Sequence, residues 1–136
     1  MGERSGRYGA LTDALVERVL STPGHTSSDL RRAVLARAAR LGGRTALAGA
    51  DVPPALTAYL DKVARHAYKV TDEDLAALQR AGHSDDALFE VTVSAALGAA
   101  LGRLERGLAA LRGEEPVSSP PDPLSTTWSG GVQEQR

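Results

Sequence analysis

The fold is decided by Ser84–Leu111, SDDALFEVTVSAALGAALGRLERGLAAL. Ser84 is a good helix N-cap, and Asp85 and Asp86 place negative charge at the positive end of the helix that follows. At ~100° per residue, Val93, Leu97, Leu101, Leu104, Leu108 and Leu111 fall on one stripe. The opposite side carries Ala95, Gly98, Ala99, Gly102 and Ala109, small residues that let another backbone come close. A helix apolar on both sides is buried in a core or at a subunit interface. Glycine inside a helix costs ~1 kcal/mol relative to alanine, so Gly98, Gly102 and Gly107 call for a packing reason. A single small domain has little volume to cover both faces. The expectation is self-association, with Ala95, Gly98, Ala99 and Gly102 at the interface; packing within one chain is the alternative.

Four shorter helices precede this one. Leu11, Leu15 and Val19 share a face over about Tyr8 to Leu20, which Pro23-Gly24 ends. Leu30, Val34, Ala38 and Leu41 do so from about Ser28 to Leu41, and Gly42-Gly43 stops that segment. A third helix starts near Pro54, a residue favoured in the first turn, with Leu56, Leu60, Val63, Ala67 and Val70 on its buried stripe. The fourth is short. Thr71 caps it, Asp72, Glu73 and Asp74 fill its first turn, and Gly82 supplies the left-handed residue past its end.

The 136 residues suit one domain, and 42% hydrophobic with 24% charged residues is an ordinary globular balance. β-branched and aromatic residues are too sparse for an all-β fold. The class is all-α, with a frayed N-terminus over 1–7, a helical domain over 8–112 and a disordered tail over 113–136. The tail holds four of the seven prolines and one cation against four carboxylates, a composition that buries too little apolar surface to offset its ordering entropy. Within it, Leu124 and Trp128 are a candidate docking motif for a protein partner; an inert tail is the plainer reading. A net charge of −1 argues against a nucleic-acid binder. The chain has no cysteine, which excludes thiol nucleophiles, disulfides and cysteine-held metals. No apolar run reaches the ~20 residues that span a bilayer, and no secretory signal is visible behind Met1, so the expectation is a cytoplasmic protein without membrane contact.

Glu90 is the most unusual position, because by helical phase it lies on the leucine stripe. A carboxylate there must be paired, hydrogen-bonded or protonated. It is either a general acid or base in an apolar pocket or an acceptor that ties down an arginine, a histidine or a neighbouring helix N-terminus. Arg31, in the apolar arc of the second helix, is its possible partner and a candidate substrate-binding cation; snorkelling to water is the alternative. Tyr59 and His66 share an edge of the third helix and complete an acid–base group with Glu90 if the third and fifth helices pack face to face. His66 as a solvated boundary histidine is the competing reading. No HExxH, paired histidine, Walker or GxGxxG pattern occurs, so neither a metal nor a cofactor is expected.

The segment Val70–Leu111, VTDEDLAALQRAGHSDDALFEVTVSAALGAALGRLERGLAAL, resembles the C-terminal half of the alkylhydroperoxidase D-like, or carboxymuconolactone decarboxylase-like, superfamily. The pattern is an acidic-capped short helix ending in Ala-Gly, then Ser-Asp-Asp, Phe89-Glu90 and a small-residue helix. Pro54–Tyr68, PALTAYLDKVARHAY, is similar to the helix that precedes it in short members. The resemblance implies an all-α fold assembled as trimers or hexamers. The redox branch relies on a CxxC pair, which this chain lacks, so hydroperoxide reduction by that mechanism is excluded. The leading expectation is a cysteine-free homo-oligomer serving as a binding or structural module. The rivals are a cofactor-independent lyase, decarboxylase or isomerase acting on a small carboxylate or lactone, and an adaptor recruiting a partner through its tail.

Overall fold

Local chemistry sets the helix ends. The computed structural model describes residues 7–44 and 51–113. Among them are five α-helices and no strand: α1 Arg7–Ser21, α2 Ser28–Leu41, α3 Pro54–His66, α4 Asp72–Arg80 and α5 Asp85–Leu111. The chain is therefore all-α, as its composition and periodicity indicate. The Ser27 hydroxyl accepts from the Leu30 N–H at 3.1 Å to open α2, and the Ser84 hydroxyl accepts from the Ala87 N–H at 3.2 Å to open α5. A reciprocal capping box starts α4: Thr71 Oγ1 accepts from the Asp74 N–H, and the Asp74 carboxylate accepts from the Thr71 N–H. Gly82 ends the following turn in the left-handed region, at φ +102°. One boundary differs from the sequence reading. α3 stops at His66, a 3-10 turn covers Ala67–Lys69, and Val70 is extended. Ala67 thus leaves the apolar stripe for solvent, while Val70 still packs against the core from the connection to α4.

The core is built on α5, whose longest contact is with α2 and whose next is with α3. Val34 and Ala38 of α2, Leu56, Tyr59, Leu60 and Ala64 of α3, Leu78 of α4, and Leu88, Val91, Ala95 and Ala99 of α5 form one buried cluster. Arg37 closes the α2–α3 edge by donating Nε and Nη2 to Asp61 at 2.6 and 2.8 Å. Lys62 ties α3 to α4 through Asp74 at 2.8 Å.

The side of α5 that meets the core is the small-residue side. A β-carbon added to Gly98 would lie 3.0 Å from the Leu35 carbonyl carbon and closer still to its oxygen; one added to Gly102 would collide with the Ala39 carbonyl and the Gly42 backbone. Ala95 and Ala99 are also fully covered. The interface expected along Ala95, Gly98, Ala99 and Gly102 is instead a seam with α2 of the same chain. Backbone-to-backbone approach removes any room there for a second copy. The leucine stripe takes the outer position. Leu97 and Leu101 are half-buried, while Leu104, Leu108 and Leu111 are exposed, Leu111 by 84%.

α5 also modifies the membrane expectation. Its apolar run is interrupted by Glu90 and Arg103, yet the 27-residue helix is long and apolar enough to cross a membrane by length and composition, with a mean hydropathy of 1.4 over 18 of its residues. Of that apolar stretch, 39% is buried inside the molecule.

Because the seam depends on absent side chains, Gly98→Ala lowers stability by about 2 kcal/mol or more, despite alanine's better helix propensity. The measurement is the urea midpoint by far-UV circular dichroism. An unchanged midpoint would show that α2 and α5 do not approach this closely.

Candidate functional site

Glu90 lies in the second turn of α5, turned toward the loop that joins α1 to α2. Its carboxylate accepts from the backbone N–H groups of His25 and Thr26, both at 2.7 Å, and from the Thr26 hydroxyl. Arg31 Nη1 adds a charged donor at 3.3 Å. Partial burial is the largest single influence on this carboxyl and pushes its pKa up. The Thr26 hydroxyl, the two backbone donors and the Arg31 charge together outweigh it and hold the group down at about 2, below its ordinary 4.5. Glu90 is thus a permanently ionised acceptor at neutral pH. It is unsuited to general acid–base work there, which needs a pKa near the working pH. Gly24 makes the arrangement possible: a β-carbon there would lie 2.8 Å from the Glu90 carboxyl carbon and 2.9 Å from Arg31 Nη1.

Arg31 does not snorkel. It is only 4% exposed, and its Nη2 donates to the carbonyls of Leu20 at 3.0 Å and Thr22 at 2.7 Å. Those carbonyls belong to the end of α1 and the residue just past it, so one guanidinium ties the end of α1 to α2 and to Glu90 of α5. Its Nε has no hydrogen-bond partner. Together Glu90 and Arg31 clamp the α1–α2 connection.

The structure does not bring Tyr59 and His66 to Glu90. The Tyr59 hydroxyl meets Thr92 Oγ1 at 2.7 Å. Thr92 is two residues beyond Glu90, and thus about 200° around the helix from it. α3 packs on the face of α5 that carries Leu88, Thr92 and Ala95, whereas Glu90 turns toward α1 and α2. His66 stands exposed at the end of α3, its ring edge-on to Tyr68 at 6.0 Å. Glu90 and Arg31 line a cleft of about 270 Å³ with Val19, Phe89 and Val93, and Tyr59 lines another of about 410 Å³ with Leu75 and Thr92. No group of three or more histidine, aspartate and glutamate side chains able to hold a metal occurs among the described residues. Leu124 and Trp128 lie outside the described residues.

The larger feature is a groove of about 550 Å³ between α1 and the C-terminal half of α5. Tyr8 and Val16 line it from α1, and Leu101, Leu104 and Leu108 from α5. Leu11 and Leu15, also on α1, are exposed by 61% and 52%. Sequence reasoning found every one of these leucines but not the groove, because periodicity alone assigns such stripes to a core. α1 meets the rest of the molecule sparsely, and much of its stripe and much of the α5 stripe face water. Asp13, Arg44, Glu105 and Arg112 line the groove as well, with Arg44 bonded to Glu105 at 3.1 Å.

Replacing the clamp carboxylate tests its structural role. Glu90→Gln costs roughly 3 kcal/mol at pH 7, since it leaves a buried guanidinium without its counter-charge. A depressed pKa contributes stability above the unfolded value and loses it as pH falls. The difference between the native chain and Glu90→Gln therefore narrows from about pH 4.5 toward pH 2. Urea titrations at pH 7, 4 and 3 measure it; a gap that stays constant across that range contradicts the clamp.

No family model, curated protein or solved structure matches the chain.

Proposed function

We propose that this chain is a helical protein-interaction module that associates with itself through the outer apolar face of α1 and α5. The observation behind this reading is the groove between α1 and α5 together with the exposed Tyr8, Leu11 and Leu15 on one helix and Leu104, Leu108 and Leu111 on the other. Contiguous apolar area of several hundred Å² on a folded domain marks an interaction surface. Tyr8 and Val16 of α1 and Leu101, Leu104 and Leu108 of α5 line the groove together. The likeness of Val70–Leu111 to the alkylhydroperoxidase D-like superfamily is kept as a proposal, supported by the capped α4, its Ala-Gly stop and the small-residue α5. Trimeric or hexameric assembly belongs to that proposal. A lyase or isomerase reading has lost the shared acid–base group on which it rested.

Size-exclusion chromatography with light scattering tests the reading on the full chain. The native chain elutes as an oligomer at micromolar concentration. Leu15→Glu and Leu108→Glu shift it to the 14.2 kDa monomer while leaving the far-UV spectrum unchanged, because neither side chain belongs to the buried core. A native chain that stays monomeric at high concentration would sink the proposal.

A further inference from the structure

We infer that the groove between α1 and α5 is covered by this chain's own C-terminal tail, residues 114–136, with Leu124 and Trp128 seated in it, so that the tail competes with self-association. The competition rests on the self-association proposed above; the seating does not. Two features of the molecule lack a counterpart. One is the groove, about 550 Å³ and lined from α5 by Leu101, Leu104 and Leu108. The other is the pair Leu124 and Trp128, the bulkiest apolar side chains of a segment otherwise rich in proline, serine and carboxylates. Burying a tryptophan alone removes roughly 200 Å² from water.

The course of the chain selects the tail as occupant. α5 ends at Leu111, and the next residue, Arg112, lines the groove. Gly113 then adopts φ +74°, a left-handed conformation that turns the backbone off the helix axis. The tail therefore sets out from the groove's own edge. From Arg112 the groove runs back along α5 to Leu101, about 17 Å at the rise of an α-helix. Leu124 and Trp128 follow Gly113 by eleven and fifteen residues. Pro116, Pro120, Pro121 and Pro123 favour extended backbone at ~3.1 Å per residue, so the two side chains reach roughly 30–45 Å and the whole groove lies within their range. A tether that spans its site presents its end at an effective concentration near millimolar. A separate molecule at micromolar concentration has to overcome that advantage through affinity. Net charge favours the same occupant. Fifteen cations and thirteen carboxylates precede residue 114, and one cation and four carboxylates follow, so tail and helical domain are of opposite sign.

Trp128 is the single tryptophan, so its selectively excited fluorescence reports on the tail alone. The full chain is diluted until light scattering gives the 14.2 kDa monomer. There the emission is blue-shifted from that of the urea-unfolded chain, and acrylamide quenches it less. Leu108→Glu, within the groove, abolishes the shift. Tyr68→Glu, at a side chain 82% exposed beyond α3, retains it, and the far-UV spectrum persists in both variants. Emission equal to that of the unfolded chain at every concentration overturns the seating, as does a shift that Leu108→Glu leaves intact. A shift that vanishes on dilution overturns it as well, because the tail is then held by another copy. Sedimentation equilibrium reads the competition. Leu124→Ser/Trp128→Ser tightens self-association by about tenfold, the gain expected where the groove is open in about a tenth of the molecules. Unchanged or weaker association overturns the competition and leaves self-association standing. If the native chain and the double variant are both monomeric at high concentration, self-association and the competition fail together, and a blue-shifted Trp128 still supports the seating.

Discussion

Direct contact between the backbones of α2 and α5 governs the rest of the molecule. At Gly98 and Gly102 the helices approach so closely that the α2 carbonyls of Leu35 and Ala39 fill the space of a missing side chain. Such proximity joins two helices through many small contacts where larger side chains would hold them apart. It also fixes the rotation of α5. With its glycine row held against α2, the opposite row of leucines must face outward or toward α1. Thr92 must face Tyr59 on α3, and Glu90 must face the α1–α2 loop. The clamp, the hydroxyl pair and the open groove all follow from one rotational setting.

Helix ends were legible in the sequence because their causes are local. Ser84, Thr71 with Asp74, Pro54 and Gly82 act within a turn of their own positions, and each does what its residue type suggests. The faces of α5 were harder to read. Hydrophobic periodicity records side-chain volume and polarity, and it assigns the bulkier stripe to the interior. Here the interior is reached by small residues, because contact distance, which periodicity does not encode, selected them. Both stripes were identified; the small-residue one packs on α2 of the same chain, and the leucine one is half-buried to exposed.

The same limit applies to the polar residues. Glu90 stood out from its phase alone, and one of the two roles considered for it, an acceptor for an arginine and for backbone donors, matches its bonds. Arg31 was the right partner, but its burial depends on carbonyls of Leu20 and Thr22, and no pattern within α2 reveals that these will be near. Thr26 and Gly24 carried no signal, since a threonine and a glycine in a loop are commonplace. Tyr59 and His66 were grouped with Glu90 on the assumption that α3 meets its stripe; α3 meets the stripe of Leu88, Thr92 and Ala95.

The way α1 is fastened has a consequence for motion. Leu20, near its C-terminal end, is buried, and the carbonyls there are gripped by Arg31, whereas Tyr8 at the far end is 76% exposed. A rod secured at one end and lightly supported elsewhere opens at a lower free energy than the bundle it leans on. Amide protons of Leu11 to Val16 should therefore exchange with solvent deuterium well before those of Val91 to Ala99. Equal protection along both segments would mean that α1 is as firmly seated as the central pair.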